Sequence, residues 1–324
     1  MSKLPGGYPA RSAAARLRCF DTDEFGLSPF FIVNPVAGRG RSRRLVSEFE
    51  RHLPPTAHSD VAFTECAGDE ERLTERALHA GAQTIVAVGG DGTVSAIGAS
   101  LLRRKSTASL AIVPCGTGND IAKTLGVNSW TPRQVADLVE RGSPIQIDVG
   151  VADGHFFLNS CGFGFDASVL EASNHVRLLK GDVVYIYSAL RQLFTYRGVE
   201  VSVSGAPGVK NGSMLMVTVS NGRWLGGAFK IAPQASVLDG KLDACFLGDS
   251  NVMQRMKLFL GAMRGTHIGM PSVAAAGVQD LTLTFPDSPL MEIDGELRRA
   301  QSRTVNVKCV PRVLSVVAAP SALV

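Results

Sequence analysis

The first half of the chain alternates short apolar runs with segments that have apolar residues at helical spacing. PFFIVNP, QTIVAVGG and LAIVPCG are rich in β-branched or aromatic residues and end in glycine or proline, which is typical of buried strands. SRRLVSEFERHL and DEERLTERALHAG carry apolar residues every three or four positions, with charges between them. A further helix is predicted with Thr131 as N-cap, Pro132 as its first residue and Gly142 as its stop. The pattern indicates βα units on a mainly parallel sheet.

After about residue 150 the periodicity changes to short alternating runs. VEVSVSG, SMLMVTVSNG, KLDACFLG, LTLTF and RTVNVKC are each bounded by Gly, Pro, Asn or Asp, and one helical segment, NVMQRMKLFLGAMRG, interrupts them. This alternating pattern predicts a β-rich domain, which we interpret as a sandwich. We therefore divide the chain into a flexible leader (1–27), an α/β domain (28–150), a β-rich domain (151–310) and a C-terminal segment (311–324). Whether that last segment returns to the first domain is left open.

Composition narrows the class of protein. The 33 basic and 29 acidic residues give a net charge of only +4, which disfavours a dedicated nucleic-acid binder. The six cysteines form no CxxC pair, so a zinc or dithiol site is not indicated. No apolar stretch of about 18 residues is present, and the expected location is cytoplasmic. Glycine is in excess, with 34 residues in 324 against an average near 7%.

Much of this glycine lies in three loops that follow predicted strands: NPVAGRGRS at 34–42, GGDGT at 89–93 and PCGTGND at 114–120. Ligands of open α/β sheets bind beyond the carboxyl ends of the strands, where glycine lets backbone N–H groups approach an anion. Glycine at such turns can also be purely conformational. The three loops together predict a polyphosphate cradle, although neither GxxxxGK[ST] nor a helix-opening GxGxxG is present.

Two carboxylates lie inside these loops. Asp91 in GGDGT and Asp120 in GTGND would repel a phosphate unless a hard cation lay between them, and Mg²⁺ is the natural choice. The alternatives are that Asp120 caps the helix that begins at IAKTLG and that Asp91 stabilises its own turn.

The loops and several downstream segments resemble the diacylglycerol kinase catalytic family, in particular the bacterial lipid kinases related to diacylglycerol and sphingosine kinases. The similarity runs from FIVNPVAG through VGGDGTV, PCGTGNDIAKTLG, CGFGFDASV and SNGRWLGGAFKIAPQASVLDGKLD to MEIDGE, over roughly residues 29 to 310. GGDGT alone would also fit NAD kinases and phosphofructokinase-like enzymes. The resemblance implies a nucleotide-binding α/β domain of NAD kinase/phosphofructokinase-like type, a β-sandwich domain for the lipid substrate, and an active site in the cleft between them.

The same resemblance implies roles for individual residues. ATP would be bound by Asn34, Pro35, Val36, Ala37, Gly38, Thr64, Gly90, Asp91, Gly92, Thr93, Val94, Ser95, Ala96 and Thr117. Asp91, assisted by Asp120, would hold the catalytic Mg²⁺ through water. Asp294 would be the general base, and Glu296 would contact nucleotide or metal. In some relatives a structural Mg²⁺ is also bound, here by Asp239 and the backbone oxygens of Ser236 and Lys241. A plain turn is the alternative for that segment.

One departure from the family concerns the residues after GGDGT. Relatives commonly have Asn and Glu two and three positions on, where this chain has Ser95 and Ala96, so a polar contact near the nucleotide is expected to be missing. A second feature is a basic and aromatic stretch, with Arg177, Lys180 and Arg191 followed by Arg197. It is suited to a membrane surface, although its aromatic residues could equally belong to the core.

We therefore expect an ATP- and Mg²⁺-dependent kinase that phosphorylates a hydroxyl of diacylglycerol or a related lipid presented at a membrane surface. No nucleic-acid partner is expected, and a homodimer is a prediction from the resemblance alone. The rival hypotheses are an NAD kinase-like enzyme and a nucleotide- or lipid-binding protein without turnover. The departure at Ser95 and Ala96 is what keeps the second rival open.

Overall fold

The computed structural model describes residues 29–52, 60–141, 144–174 and 192–318. The predicted leader, the stop at Gly142 and the basic residues Arg177, Lys180 and Arg191 lie outside these ranges. Within them, the predicted architecture of an α/β domain followed by a β-sandwich is confirmed.

The first domain is a parallel sheet flanked by helices. Its strands are β1 (Phe30–Val33), β2 (Asp60–Phe63), β3 (Thr84–Gly89) and β4 (Ser109–Pro114), which pair in the order β2-β1-β3-β4. Its helices are α1 (Arg41–Glu50), α2 (Asp69–His79), α3 (Asp91–Arg103), α4 (Asp120–Thr124) and α5 (Pro132–Arg141). The three central strands are almost wholly buried because helices cover both faces of the sheet. Alternate residues of these strands therefore belong to two separate cores.

The start of α5 follows the sequence prediction. The Thr131 hydroxyl accepts the backbone N–H of Gln134 at 3.3 Å, and the Gln134 side chain accepts the backbone N–H of Thr131 at 2.9 Å. These reciprocal bonds form a capping box, so the predicted N-cap is confirmed.

The second domain consists of two packed layers of mostly antiparallel strands. Its elements are β5 (Ile145–Ala152), β6 (His155–Phe157), β7 (Ser160–Gly164), α6 (Phe165–Asn174), β8 (Val199–Ser204), β9 (Gly212–Ser220), β10 (Leu242–Gly248), α7 (Val252–Arg264), β11 (Val273–Val278), β12 (Asp280–Thr284), β13 (Leu290–Ile293), β14 (Glu296–Arg299) and β15 (Thr304–Val316). One layer contains β14-β13-β7-β9-β10-β11, and the other contains β8-β12-β15-β5-β6. The core between them includes Phe157, Phe163 and Phe246.

Two long strands connect the domains. In β15, Val305 and Val307 lie in the sandwich core, whereas Leu314 and Val316 lie in the α/β core, and Val316 pairs in parallel with Leu110 of β4. β5 runs antiparallel beside it through both cores. The pair therefore holds the two domains together along the cleft between them. No helix in the described part of the chain has the length and apolar character needed to cross a bilayer.

Candidate active site

The three glycine-rich loops lie against one another at the carboxyl ends of β1, β3 and β4. Asn34 donates its backbone N–H to the carbonyl of Val88 at 2.9 Å, and Cys115 donates to Gly89 at 2.9 Å. A Cβ added to Gly116 would lie 2.5 Å from the Cα of Gly90, so side chains are excluded by the neighbouring loop. Here glycine permits the close approach of one backbone to another.

The residues predicted to bind ATP surround this cluster of loops. Thr93 is buried and accepts the Asn34 side-chain N–H at 3.4 Å, and Thr64 is buried at the end of β2. Thr117 and Val36 are exposed at the rim. Asn119, which the sequence analysis did not predict as a site residue, closes the third loop. Its side chain accepts the Gly116 N–H and donates to the Gly116 carbonyl, each at 2.9 Å. Its φ of 52° is of the kind that asparagine tolerates.

Asp91 has a structural partner that neither sequence alternative foresaw. It is the first residue of α3, but its Oδ1 accepts the backbone N–H groups of Asp120 at 2.6 Å and Ile121 at 3.4 Å, so it caps the neighbouring helix α4. Burial first, and then the nearby Asp120, raise the pKa of Asp91 to about 6. A cation bound here would favour the ionised carboxylate.

Asp120 connects the two domains. Its Oδ2 accepts the backbone N–H of Gly227 at 3.0 Å, from the segment before β10, and its Oδ1 pairs with Lys123 at 3.2 Å. The alternative that Asp120 only caps its own helix is therefore wrong: Asn119 is the N-cap residue, Asp91 accepts the first N–H groups of α4, and the Asp120 carboxylate contacts the other domain. Gly227 has a φ of 78° and reaches Asp120 through its backbone.

The space above Gly118 fits a divalent cation. A Cβ built on Gly118 would lie 2.8 Å from Asp91 Oδ2 and 3.7 Å from Asp120 Oδ2, so both oxygens face the same small volume. Mg²⁺ commonly takes one or two carboxylates and completes its octahedron with water and phosphate oxygens. Among the described residues, no three His, Cys, Asp or Glu side chains form a ready-made metal cage, so this protein would supply only part of the coordination shell.

Asp294 lies on the opposite side of the cleft, in the turn between β13 and β14. Its φ of 48° and that of Gly295 at 87° form a tight hairpin turn. The carboxylate accepts three backbone N–H groups, from Leu158 at 2.7 Å, Asn159 at 2.9 Å and Ser160 at 3.0 Å. Burial nevertheless raises the pKa of Asp294, and the hydrogen bonds oppose this shift.

Ser95 links the two sides of the cleft. Its side chain, on α3, hydrogen-bonds to Asp294. This is the position where the family pattern has Asn, so a polar contact is present here although the residue differs. Ala96 lines a neighbouring cavity of about 200 Å³ together with Asp294 and Glu296. Glu296 is exposed, and its Oε2 pairs with Arg298 at 2.6 Å.

The sequence analysis did not predict two buried carboxylic acids that lie beside Asp294. Asp166 begins α6 and is 2% exposed, and Glu292 in β13 is 4% exposed. Glu292 pairs across strands with Gly162, and a Cβ on Gly162 would lie 2.0 Å from Asp166 Oδ2. The absent side chain of Gly162 therefore leaves room for Asp166 next to Glu292. The two carboxyls hydrogen-bond to each other, and burial together with Asp166 holds the pKa of Glu292 well above its usual range.

Glu292 also supports the turn that carries Asp294, because its Oε1 accepts the backbone N–H of Gly295. Sequence spacing could have drawn attention to it, since Glu292 is the only charged residue in the run PLMEI. Its pairing with Asp166 depends on the register of β13 on β7, which the sequence does not reveal.

Five of these acids, Asp91, Asp120, Asp166, Glu292 and Asp294, meet in one cavity between the domains, the carboxylate cavity. It has a volume of about 230 Å³ and is lined by Asp91, Ser95, Gly118, Asp120, Ile121, Asn159, Asp166, Leu170, Leu225, Gly226, Gly227, Glu292, Asp294 and Gly295. No lysine or arginine is among the described residues that line the cavity, and Lys123 only borders it through its ion pair with Asp120. The cavity therefore favours ligands that bring positive charge or hydrogen-bond donors.

The segment predicted to hold a structural Mg²⁺ lies elsewhere. Asp239 is exposed, and its Oδ1 accepts the backbone N–H of Lys241 at 3.1 Å, while the Ser236 hydroxyl accepts that of Leu238 at 3.3 Å. These hydrogen bonds are those of an ordinary turn. Cation binding by the backbone oxygens of Ser236 and Lys241 stays a prediction.

Comparison with known proteins gives two family-model matches. Residues 28–152 match the diacylglycerol kinase catalytic domain, and residues 159–318 match the YegS C-terminal NAD kinase beta sandwich-like domain. The chain is 25% identical over 267 residues to a protein of Bacillus subtilis (strain 168) named "Diacylglycerol kinase", covering 82% of this chain and 88% of that protein. It is 33% identical over 231 residues to a Pseudomonas aeruginosa (strain UCBPP-PA14) protein named "Probable lipid kinase YegS-like", covering 71% of this chain and 75% of the relative.

Solved structures show the same fold. A crystal structure described as a diacylglycerol kinase from Bacillus anthracis str. Sterne superposes with a TM-score of 0.68 at 19% identity, over 93% of this chain and all of that one. A second structure from the same organism gives a TM-score of 0.74 at 23% identity, over 92% of this chain and 99% of that one. Together with the matched domains and the relative at 33% identity, these results place the chain: it belongs to the YegS-like lipid kinase family, whose first domain is the diacylglycerol kinase catalytic domain.

Proposed function

We propose that this protein is an ATP- and Mg²⁺-dependent kinase that transfers the γ-phosphoryl group to a hydroxyl of diacylglycerol or a related lipid. One observation carries the proposal. A single cavity brings together two acids at the phosphate loops, Asp91 and Asp120, and a third acid from the other domain, Asp294. Phosphoryl transfer to an alcohol needs both a cation site at the phosphates and a base at the acceptor hydroxyl.

The first domain would bind the nucleotide. The loops that contain Asn34, Gly90 and Thr117 present backbone N–H groups and helix N-termini to the triphosphate. Asp91 and Asp120 would hold Mg²⁺ through the oxygens that face the space above Gly118, and the ion would neutralise charge that develops on the transferring phosphoryl group. Asp91 Oδ1 would meanwhile keep α4 in place, and Asp120 Oδ2 would keep its hydrogen bond from the backbone N–H of Gly227.

Asp294 would act as the general base. It would accept the proton of the lipid hydroxyl as the oxygen bonds to the γ-phosphorus and the bond to the ADP leaving group breaks. The three backbone N–H groups fix the orientation of its carboxylate, and burial raises its pKa, which makes it a better proton acceptor than an ordinary aspartate.

The lipid itself would lie in the second domain. An apolar cavity there is lined by Leu193, Phe229, Leu258 and Phe259, and two of its lining residues, Asp166 and Leu225, also line the carboxylate cavity. A lipid chain in the apolar cavity would therefore place its head group near Asp294. The Asp166–Glu292 pair would hydrogen-bond to the polar part of the head group.

A direct test incubates the purified protein with labelled ATP, Mg²⁺ and separate acceptors: diacylglycerol, a sphingoid base and NAD. We expect a lipid to be labelled and NAD to remain unlabelled. Asp294→Asn should lower kcat about 10²- to 10⁴-fold with a smaller change in the KM for ATP, because the substitution removes a proton acceptor. Asp280→Asn, an exposed aspartate that pairs with Lys308, is the matched control.

Equal phosphate transfer by wild type and Asp294→Asn would show that Asp294 is not the base. ATP binding with no transfer to any acceptor would support the non-catalytic rival, and labelling of NAD would overturn the lipid substrate class. Because Asn would place an amide N–H₂ against a backbone N–H, thermal unfolding of the variant must be measured beside its kinetics.

A further inference from the structure

Exposed apolar side chains are concentrated in one region of the described structure. Seven large hydrophobic residues are exposed among the described residues, and five of them lie on α7 or just before β8. These five define the α7 patch: Phe194 at 60% exposure, Val252 at 37%, Met253 at 72%, Leu260 at 50% and Met263 at 39%. Exposed apolar residues are ordinary when scattered, but a contiguous group marks an interaction surface.

The α7 patch is built on a firmly anchored helix. Asn251 caps α7 by accepting the Gln254 backbone N–H at 3.0 Å, and Gly265 ends it with a φ of 72°. Leu258 and Ala262, on the inner face, are buried in an apolar core. The outward residues Met253, Leu260 and Met263 therefore stand on a rigid platform.

Arg255 fixes Phe194 to this platform. Its guanidinium donates to the backbone carbonyls of Leu193 at 3.1 Å and Tyr196 at 2.8 Å, on either side of Phe194, and pairs with Asp249 at 2.5 Å. Phe194 thus belongs to the same surface as α7, even though more than fifty residues separate them in sequence.

The charged side chains on α7 are all basic. α7 contains no Asp or Glu, and Lys257 and Arg264 are exposed in the stripe that also holds Met253 and Leu260, at helical spacing i, i+4, i+7 and i+11. Arg197, beyond Phe194, is exposed as well. Asp249 is matched by Arg255. Apolar side chains flanked by exposed lysine and arginine, which form no ion pair within the described part of the chain, complement a bilayer that contains anionic lipids.

The position of α7 relates the α7 patch to the cavity proposed for the lipid chain. The inward residues Leu258, Phe259 and Ala262 line the apolar cavity, which shares Asp166 and Leu225 with the carboxylate cavity. The α7 patch is thus the outer face of the helix whose inner face lines the cavity assigned to the lipid chain. This step rests on the proposed lipid kinase function.

We propose that the α7 patch is the surface that docks on anionic lipid bilayers, with Met253, Leu260 and Phe194 entering the interface and Lys257 and Arg264 contacting lipid phosphates. A bilayer bound here lies against the helix that covers the apolar cavity, so lipid can reach the site without crossing open water.

The test compares Met253→Glu/Leu260→Glu with wild type in sedimentation with vesicles of phosphatidylcholine and phosphatidylglycerol. We expect at least a tenfold loss of vesicle binding, because two carboxylates replace inserted apolar side chains. Val313→Glu, at an exposed valine of β15 outside the patch, should bind like wild type. Lys257→Gln and Arg264→Gln should each weaken binding about fivefold, and only when phosphatidylglycerol is present.

Activity on a short-chain diacylglycerol in free solution should be the same for the double variant and wild type, whereas activity on vesicle-borne diacylglycerol should fall with binding. Equal vesicle binding by the double variant and wild type would overturn the docking proposal, as would failure of wild type to bind anionic vesicles. A wild-type dimer that dissociates in the double variant without loss of vesicle binding would assign the patch to a second copy instead. If binding falls as expected but no lipid is ever phosphorylated, the docking proposal survives and the kinase proposal fails.

Discussion

The two walls of the carboxylate cavity, one from each domain, position their acidic side chains in different ways. On the wall from the first domain, Asp91 Oδ1 accepts the backbone N–H of Asp120, whereas Asp91 Oδ2 is turned to the space above Gly118. Asp120 Oδ2 faces the same space and also accepts the backbone N–H of Gly227. On the wall from the second domain, Asp294 accepts three N–H groups, and Glu292 shares a hydrogen bond with Asp166.

This difference separates two kinds of chemistry. Carboxylate oxygens that converge on an open space are suited to a cation, which needs several oxygen ligands at once. Acids buried among backbone donors and other acids, with raised pKa values and without an open space for a cation, are suited to hold or accept protons. The pKa of Asp91 is raised as well, but its Oδ2 faces the open space, where a cation would favour the ionised form. Under the proposed function, the first domain would neutralise charge and the second would transfer the proton, and phosphoryl transfer to an alcohol requires both roles.

The largest effect should come from removing charge on the first wall. In Asp91→Asn the amide oxygen can still accept the Asp120 and Ile121 N–H groups, so the fold should be retained. We expect kcat/KM to fall at least about 10²- to 10³-fold, because an electrostatic contact to the transferring group is lost. Steady-state kinetics across a Mg²⁺ titration, with thermal unfolding in parallel, measures this effect.

Asp280→Asn serves as the control, since it removes one carboxylate charge at an exposed strand position. If Asp91→Asn kept more than a tenth of the wild-type activity at ordinary Mg²⁺ concentration, the first wall would not be the cation site. The comparison between the walls would then fail at its first step.

Two glycine-to-alanine variants, one in each wall, test the comparison further. In Gly162→Ala the new Cβ would lie 2.0 Å from Asp166 Oδ2, in a packed sheet, so we expect a loss of about 1–3 kcal/mol in unfolding free energy. In Gly118→Ala the Cβ would lie 2.8 Å from Asp91 Oδ2, on the cavity side. That variant should unfold close to wild type but need more Mg²⁺ for half-maximal activity.

Chemical denaturation measures the first variant and Mg²⁺-dependent kinetics the second. Gly277→Ala, whose Cβ would meet only the Lys241 side chain at 3.4 Å, is the matched control for both. A Gly118→Ala protein with unchanged Mg²⁺ dependence would show that the space above Gly118 holds no cation. Unaltered stability of Gly162→Ala would show that Asp166 can leave its place beside Glu292 freely.

The two walls also differ in how far the sequence predicts them. Asp91 and Asp120 stand in local loops, where glycine and a strand end identify a ligand site without knowledge of the fold. The sequence likewise predicted the parallel strands and the β-sandwich, because burial on both faces and alternation leave distinct patterns. The capping of α4 by Asp91 escaped prediction, since it joins two loops 29 residues apart.

The second wall depends on strand register. Glu292 faces Asp166 only because β13 pairs with β7 so that Glu292 lies opposite Gly162, and a shift of one residue would turn Glu292 to the other face. Asp294 was predicted as the base only from the family resemblance, whereas its three N–H donors at Leu158, Asn159 and Ser160 come from a segment that no local pattern marks. The α7 patch was missed because its apolar residues were interpreted as part of an ordinary helix.

The most gradual effect, which builds up only as the pH rises, concerns protons on the second wall. Burial, with Asp166 adding to it, raises the pKa of Glu292, so the folded protein keeps a proton that the unfolded chain has lost above about pH 4.3. Stability linked to this group is complete below that pH and declines as pH rises towards the folded-state pKa, by up to about 1.4 kcal/mol per pH unit.

Glu292→Gln has no proton to lose, and its amide oxygen can still accept the Gly295 N–H. Its unfolding free energy relative to wild type should therefore improve between pH 5 and pH 8 in Mg²⁺-free denaturation experiments. Glu200→Gln, at an exposed position of β8, should show no such trend, and a Glu292→Gln difference that stayed flat with pH would mean that Glu292 is ionised in the folded protein.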